Sequence, residues 1–131
     1  MHIVPFYAAI LALLYVGLSV RTLRLRRRLH IAIGDAGNQA MLRAMRVHSN
    51  FAEYVPLAVL LLAFVEGTGA HPIFVHVLAL ALLAGRAAHA FGVSQLKENY
   101  AYRVFGMATT LSTIGIAALY LLYASTREVL H

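Results

Sequence analysis

Residues Arg46 to Val65 read RVHSNFAEYVPLAVLLLAFV, a polar stripe running without a break into an uncharged apolar segment that begins at Val55 and contains Pro56. At 100° per residue Arg46, Asn50, Glu53 and Tyr54 fall within about a 100° arc of one helix, so all four face the same neighbour. Arg, Asn and Glu are costly where a helix enters hydrocarbon, and the default reading of such a stripe is a functional site inside a membrane protein.

The rest of the chain fits that reading. Its 131 residues suit a single domain, taken as 1–131; 61% are apolar and 12% charged, against roughly 25% charged in soluble domains. There is no cysteine, so disulfides, thiolate metal sites and a protein thiol nucleophile are excluded, and any sulfur chemistry must use a thiol brought by the substrate. The net charge of +6 is no nucleic-acid signal. Arg21, Arg24, Arg26, Arg27 and Arg28 crowd one short segment beside an apolar run, with no RNA- or DNA-binding motif, which marks a juxtamembrane cluster.

Four apolar stretches, 3–20, 46–65, 73–93 and 104–124, each approach the ~20 residues of a spanning helix, and the expected fold is an all-α integral membrane four-helix bundle. The first stretch has no preceding basic residue and is followed by arginines where a signal-peptide cleavage site would lie, so it is read as helix one. Arginines fill the first loop, taken to include Arg43; the second, Glu66 to Pro72, has no Lys or Arg; the third holds Lys97 and Arg103. The positive-inside bias then places loops one and three in the cytoplasm and both termini in the periplasm. Asp35 or Asn38 is the expected cap of helix two. At 1.5 Å per residue Glu53 lies about 18 Å and Asn50 about 22 Å from an outer boundary at Val65, with Arg86 and His89 of helix three at similar depth, about 20 and 24 Å. With Arg103 opening helix four on the cytoplasmic side, the basic and acidic groups of three helices converge in one leaflet. The guest suited to them is amphoteric, with carboxylates for arginines and an ammonium for Glu53.

The segment from Arg43 to Pro56 resembles the signature of the MAPEG family, the membrane-associated proteins of eicosanoid and glutathione metabolism, at Arg46, Asn50, Glu53, Tyr54 and Pro56. The likeness extends loosely over all four spans, and Gly34-Asp35-Ala36-Gly37-Asn38 is similar to the small bacterial branch. It implies a homotrimer in the bacterial inner membrane with glutathione, a co-substrate, bound between subunits near the cytoplasmic face. It further implies that Arg21, Arg46, His48, Asn50, Glu53, Tyr54, Arg86 and His89 hold glutathione and that Arg103 stabilises its thiolate. His89 and Val93 stand where leukotriene-forming members carry tyrosines, and Val104 replaces a serine that often follows the catalytic arginine in prostaglandin isomerases. The implied function is a membrane glutathione transferase that conjugates lipophilic electrophiles arriving from the bilayer, with glutathione-dependent peroxidase activity as a companion.

Plainer readings compete. Glu53 and Arg86 could form a buried ion pair that fixes packing, and His89 could be a packing histidine. The seven histidines show no metal-binding spacing, so no metal is expected. The arginines from Arg24 to Arg28 read as a topology anchor meeting anionic headgroups. Gly106, Thr110, Thr113 and Ala117 form a small-residue stripe suited to close helix packing, and available to a neighbouring subunit. Tyr7, Tyr120 and Tyr123 read as interfacial anchors. A non-catalytic scaffold or glutathione-binding sensor is the alternative function, and a transporter lacks support without broken helices or duplicated halves.

Overall fold

The computed structural model describes residues 2–129. Of the domain read over 1–131, Met1, Leu130 and His131 therefore lie outside the described residues. Four helices follow one another, α1 (Ile3–Leu29), α2 (Gln39–Gly67), α3 (Pro72–Ser94) and α4 (Tyr100–Val129), and each is long and apolar enough to cross a membrane. The four expected spans all fall inside these helices, but α1, α2 and α4 run well past them. A helix satisfies its own backbone hydrogen bonds, so it can leave hydrocarbon and continue through charged residues without penalty. Helix α1 thus carries the whole arginine cluster, and Arg43, expected in loop one, stands in the second turn of α2.

Local chemistry sets the helix ends. Asn38 caps α2 through its side chain, which accepts from the Met41 N–H at 3.0 Å, while Asp35 instead closes a turn onto the Gly37 N–H. Gly34 and Gly37 carry positive φ of 69° and 74°, which lets the nine-residue connection reverse direction between long helices. Asn99 accepts from the Ala101 N–H at the start of α4. The start of α1 is finished from a distance. Pro5 has no N–H to offer, and the Glu66 carboxylate at the end of α2 accepts from His2, Ile3 and Val4 at 2.6, 2.8 and 2.9 Å. A carboxylate there satisfies orphan donors and meets the positive end of the helix dipole, tying α1 to α2 at the far end of the bundle from the arginines.

Helices α3 and α4 form the most extensive contact, α2 packs on all three others, and among the described residues α1 and α4 do not meet. Leu11, Val47, Leu62, Val65, Val75, Leu82 and Ala117 build the core. Leu13, Leu57, Leu60, Phe64, Leu119 and Leu122 point outward and are at least half exposed, an apolar exterior suited to lipid.

The small-residue stripe of α4 is used inside the chain, not left for a neighbour. Gly106, Thr110, Thr113 and Ala117 are all buried, and a β-carbon on Gly106 would stand 2.6 Å from the Gly85 carbonyl oxygen and 2.9 Å from the His89 nitrogen. Two backbones touch at that point. Tyr7 hydrogen-bonds His76 across the bundle and Tyr120 packs its ring on Phe74, so only Tyr123 of the three expected anchors is fully outward.

Candidate functional site

The first half of α2, the last turns of α3 and the first turn of α4 surround a cavity of about 370 Å³ lined by Arg46, Ser49, Asn50, Glu53, His89, Val93 and Arg103. Arg46, Asn50 and Glu53 recur at i, i+4 and i+7, so one face of α2 supplies a cation, an amide and a carboxylate at successive turns. Arg46, Ser49 and Glu53 are exposed in the single chain, with their polar groups turned to the opening.

Behind this wall sits Arg86, which is 0% exposed. Its Nη2 donates to Asn50 Oδ1 at 2.8 Å and to His89 Nδ1 at 3.3 Å, its Nη1 reaches Thr110 Oγ1 at 3.5 Å, and its guanidinium lies over the Phe51 ring. The Glu53–Arg86 ion pair weighed as the plainer alternative is absent among the described residues, although the two share a depth. Asn50 is the side chain of α2 that turns towards α3, and Glu53, about 60° further round the helix, opens into the cavity instead. Arg86 also decides what its neighbours can offer a guest. Because guanidinium only donates, Asn50 spends its oxygen on Arg86 and presents its NH₂ elsewhere, and His89 accepts through Nδ1, which puts the ring proton on Nε2.

One residue that sequence reasoning passed over stands beside Arg103, a wall of the cavity. Glu98, in the α3–α4 connection, has a side chain only 4% exposed; its Oε2 accepts from Arg43 Nη1 at 2.9 Å and its Oε1 stands 3.6 Å from Arg103 Nη1. Arg43 also donates to the Val93 carbonyl. The carboxylate is therefore bonded to α2 and only loosely paired with Arg103, whose side chain stays 48% exposed. The available signal was a lone acid between basic residues, Lys97 and Arg103. Glu98→Gln is expected to keep the Arg43 contact but release Arg103, raising the rate at which phenylglyoxal modifies Arg103, as read by peptide mass mapping. An unchanged rate would mean that Glu98 does not hold it.

Other residues of the expected set lie elsewhere in the single chain. His48, two positions from Arg46 and hence about 200° round the helix, faces α1, where it hydrogen-bonds Ser19 at 3.0 Å and stacks on Tyr15. Arg21 donates to Ser94 Oγ at 2.6 Å on a different cavity. Tyr54 is half-buried at the edge of the polar arc and does not line the cavity. On the other side of α2 an apolar groove of about 330 Å³ runs between α1 and α2, walled by Leu11, Tyr15, Phe51, Val55, Pro56 and Val59 among others. Among the described residues no three His, Asp or Glu side chains gather as a metal site.

Four membrane-length helices and a polar cavity built on an Arg-x₃-Asn-x₂-Glu face define an all-helical membrane protein with a charged cavity backed by a buried arginine. Residues 4–123 match the MAPEG family, and the chain belongs to it. It is 38% identical over 104 residues to the inner membrane protein YecN of Escherichia coli K12, an alignment spanning 79% of this chain and 78% of that one. The protein of the same name from a second Escherichia coli strain matches equally.

Proposed function

We propose that this chain is a glutathione transferase of the bacterial inner membrane, acting as a homotrimer on lipophilic electrophiles. The observation that carries the reading is the charge pattern of the 370 Å³ cavity, two arginines and one carboxylate around an amide, which complements the carboxylates and ammonium of a small peptide. Arg46 and the free NH₂ of Asn50 take a carboxylate, Glu53 takes the ammonium, and Arg103 stands beside sulfur. A guanidinium stays protonated and favours the thiolate by charge and hydrogen bonding, so the thiol proton passes to water without a protein base. The thiolate pair then forms a C–S bond with the electrophile, whose leaving group or π pair accepts the displaced electrons. Arg21 and His48, remote from the cavity within one chain, join the site only if a neighbouring subunit supplies them. The inner-membrane placement draws on the name of the YecN relative, and the orientation, with loops one and three cytoplasmic, on the arginine distribution.

A glutathione-binding sensor or scaffold is the second reading, favoured by Glu98, whose carboxylate stands 3.6 Å from Arg103 and competes with a thiolate for it, and by Val93, which gives the cavity an apolar wall. Titration of glutathione into the purified protein in mild detergent, followed by conjugation to a hydrophobic aryl halide, separates the two. Saturable binding with turnover is the expected result. Binding without turnover leaves the sensor, and no binding ends both. Because the chain has no cysteine, thiolate absorbance that develops on binding comes from the ligand alone.

A further inference from the structure

Only one of the two ring nitrogens of His89 has a partner inside the chain. Arg86, one turn earlier on α3, places its Nη2 3.3 Å from Nδ1, and a guanidinium has no lone pair to give. Nδ1 therefore accepts and Nε2 carries the proton. The ring is neutral while that contact stands, because a second N–H would be turned against the guanidinium. Among the described residues Nε2 meets no acceptor, yet it is not sealed in as Arg86 Nε is. His89 is only 3% exposed and lines the cavity, so Nε2 opens onto the cavity itself. A buried N–H donor without an acceptor calls for one from a guest.

Close backbone contacts set where that donor stands. A β-carbon on Gly106 would lie 2.6 Å from the His89 β-carbon, and one on Gly92 would lie 3.4 Å from the Arg103 backbone nitrogen. Gly106 follows Arg103 by three residues and Gly92 follows His89 by three, so each pair shares a helix face and the two contacts bracket the crossing of α3 and α4. His89 and Arg103 are thus neighbours in the cavity wall. Of the charged groups around them, Arg86 lies on α3 itself, Arg46 and Glu53 face the cavity from α2, and Glu98 reaches Arg103 from the α3–α4 connection. Arg86 takes an acceptor from Asn50 and from His89 alike, which leaves donors on the side that a guest meets.

We propose that His89 is a second catalytic residue of the thiol site: its Nε2–H donates to the glutathione sulfur beside Arg103, and Arg86 is the positioning residue that holds the ring in the donating tautomer. The inference rests on the glutathione reading above and adds a second group at sulfur. The Nε2 proton is shared and not transferred, so no bond of His89 forms or breaks and the thiol proton still passes to water. Such a donor favours the thiolate over the thiol, because hydrogen bonds to charged groups are the stronger ones.

The tautomer is read by nitrogen-15 NMR of ligand-free protein in mild detergent, with the His89 signals identified by their loss in His89→Gln. A protonated Nε2 and a bare Nδ1 are expected; a proton on Nδ1 would overturn the proposal whatever glutathione does. Conjugation of glutathione to a hydrophobic aryl halide is then followed against pH. His89→Phe is expected to lower the rate at pH 7 about tenfold and to move the rising limb of the profile about one pH unit upwards. Its affinity for S-methylglutathione, which has no ionisable thiol, is expected to stay within about threefold of the parent. His89→Gln, which accepts from Arg86 through its oxygen and donates through its NH₂, is expected to recover most of the lost rate. Should His89→Phe fold poorly, the parent's Nε2–H signal decides: it is expected to move further with glutathione than with S-methylglutathione, and equal movement would overturn the proposal. Parental turnover with an unmoved pH profile in folded His89→Phe would leave His89 a packing residue and end this proposal alone. No glutathione binding by the parent would end the glutathione reading and this proposal together.

Discussion

Arg103→Ala is expected to lower conjugation at neutral pH by ten- to a hundredfold while leaving glutathione affinity within a few-fold of the parent. On the proposed reading, Arg46, Asn50 and Glu53 hold the charged ends of the peptide from α2, whereas Arg103 enters from α4 beside the sulfur. A free thiol ionises at about pH 8.5, and each tenfold change in its thiolate fraction corresponds to about 1.4 kcal/mol of stabilisation by the guanidinium. Removing that stabilisation moves the rising limb of the pH–rate profile upwards, so activity lost at pH 7 is partly recovered in alkaline solution. The complementary substitutions Arg46→Ala and Glu53→Gln are expected to act on affinity instead. Each removes a charge-assisted contact worth roughly 1.5–3 kcal/mol, about ten- to a hundredfold in Kd. Thiolate absorbance and rate, measured against pH on folded protein, distinguish the two patterns. A normal pH profile in Arg103→Ala would remove it from the thiolate and make the buried Arg86 or Arg21 the next cation to examine.

Gly106→Ala is expected to be the most destabilising single-methyl addition in the chain. The new β-carbon would meet the Gly85 carbonyl oxygen at 2.6 Å, and the His89 β-carbon and nitrogen at 2.6 and 2.9 Å, mostly backbone atoms that cannot swing aside. Relief requires α3 and α4 to separate. Overpacking of this kind costs roughly 1–3 kcal/mol, and separation of the two helices also displaces His89, a wall of the 370 Å³ cavity held by Arg86. Gly115→Ala, nine residues along the same helix, supplies the control, because its β-carbon meets nothing within 4 Å and replaces glycine by a better helix former. The expected result is a clear fall in unfolding temperature and glutathione affinity for the first and an unchanged or raised midpoint for the second. Equal midpoints would mean that the α3–α4 contact is loose enough to absorb a methyl group.

The sequence by itself determined the number of helices, their order and their approximate hydrophobic extents, because a bilayer allows few solutions for long apolar runs and each helix closes its own hydrogen bonds. It also determined that Arg46, Asn50 and Glu53 share a face, since that follows from helical phase alone. What it could not supply was everything that depends on which helix lies opposite. Depth arithmetic put Glu53 level with Arg86, but the rotation of α2 against α3 gave Arg86 to Asn50 and turned Glu53 into the cavity. The same rotation sent His48 to Ser19 and Tyr15 on α1. Glu98 carried no periodic signal in a short connection, and only the fold placed it between Arg43 of α2 and Arg103 of α4. The arginine run looked uniform as a string, yet its members point around the helix at 100° intervals, and tertiary packing turned Arg26 back onto the Gly34 carbonyl while Arg21, Arg24 and Arg28 line a cavity. Hydropathy is a property of one chain segment and survives being read alone. The partner of a charge is a property of two segments, and only their packing decides it.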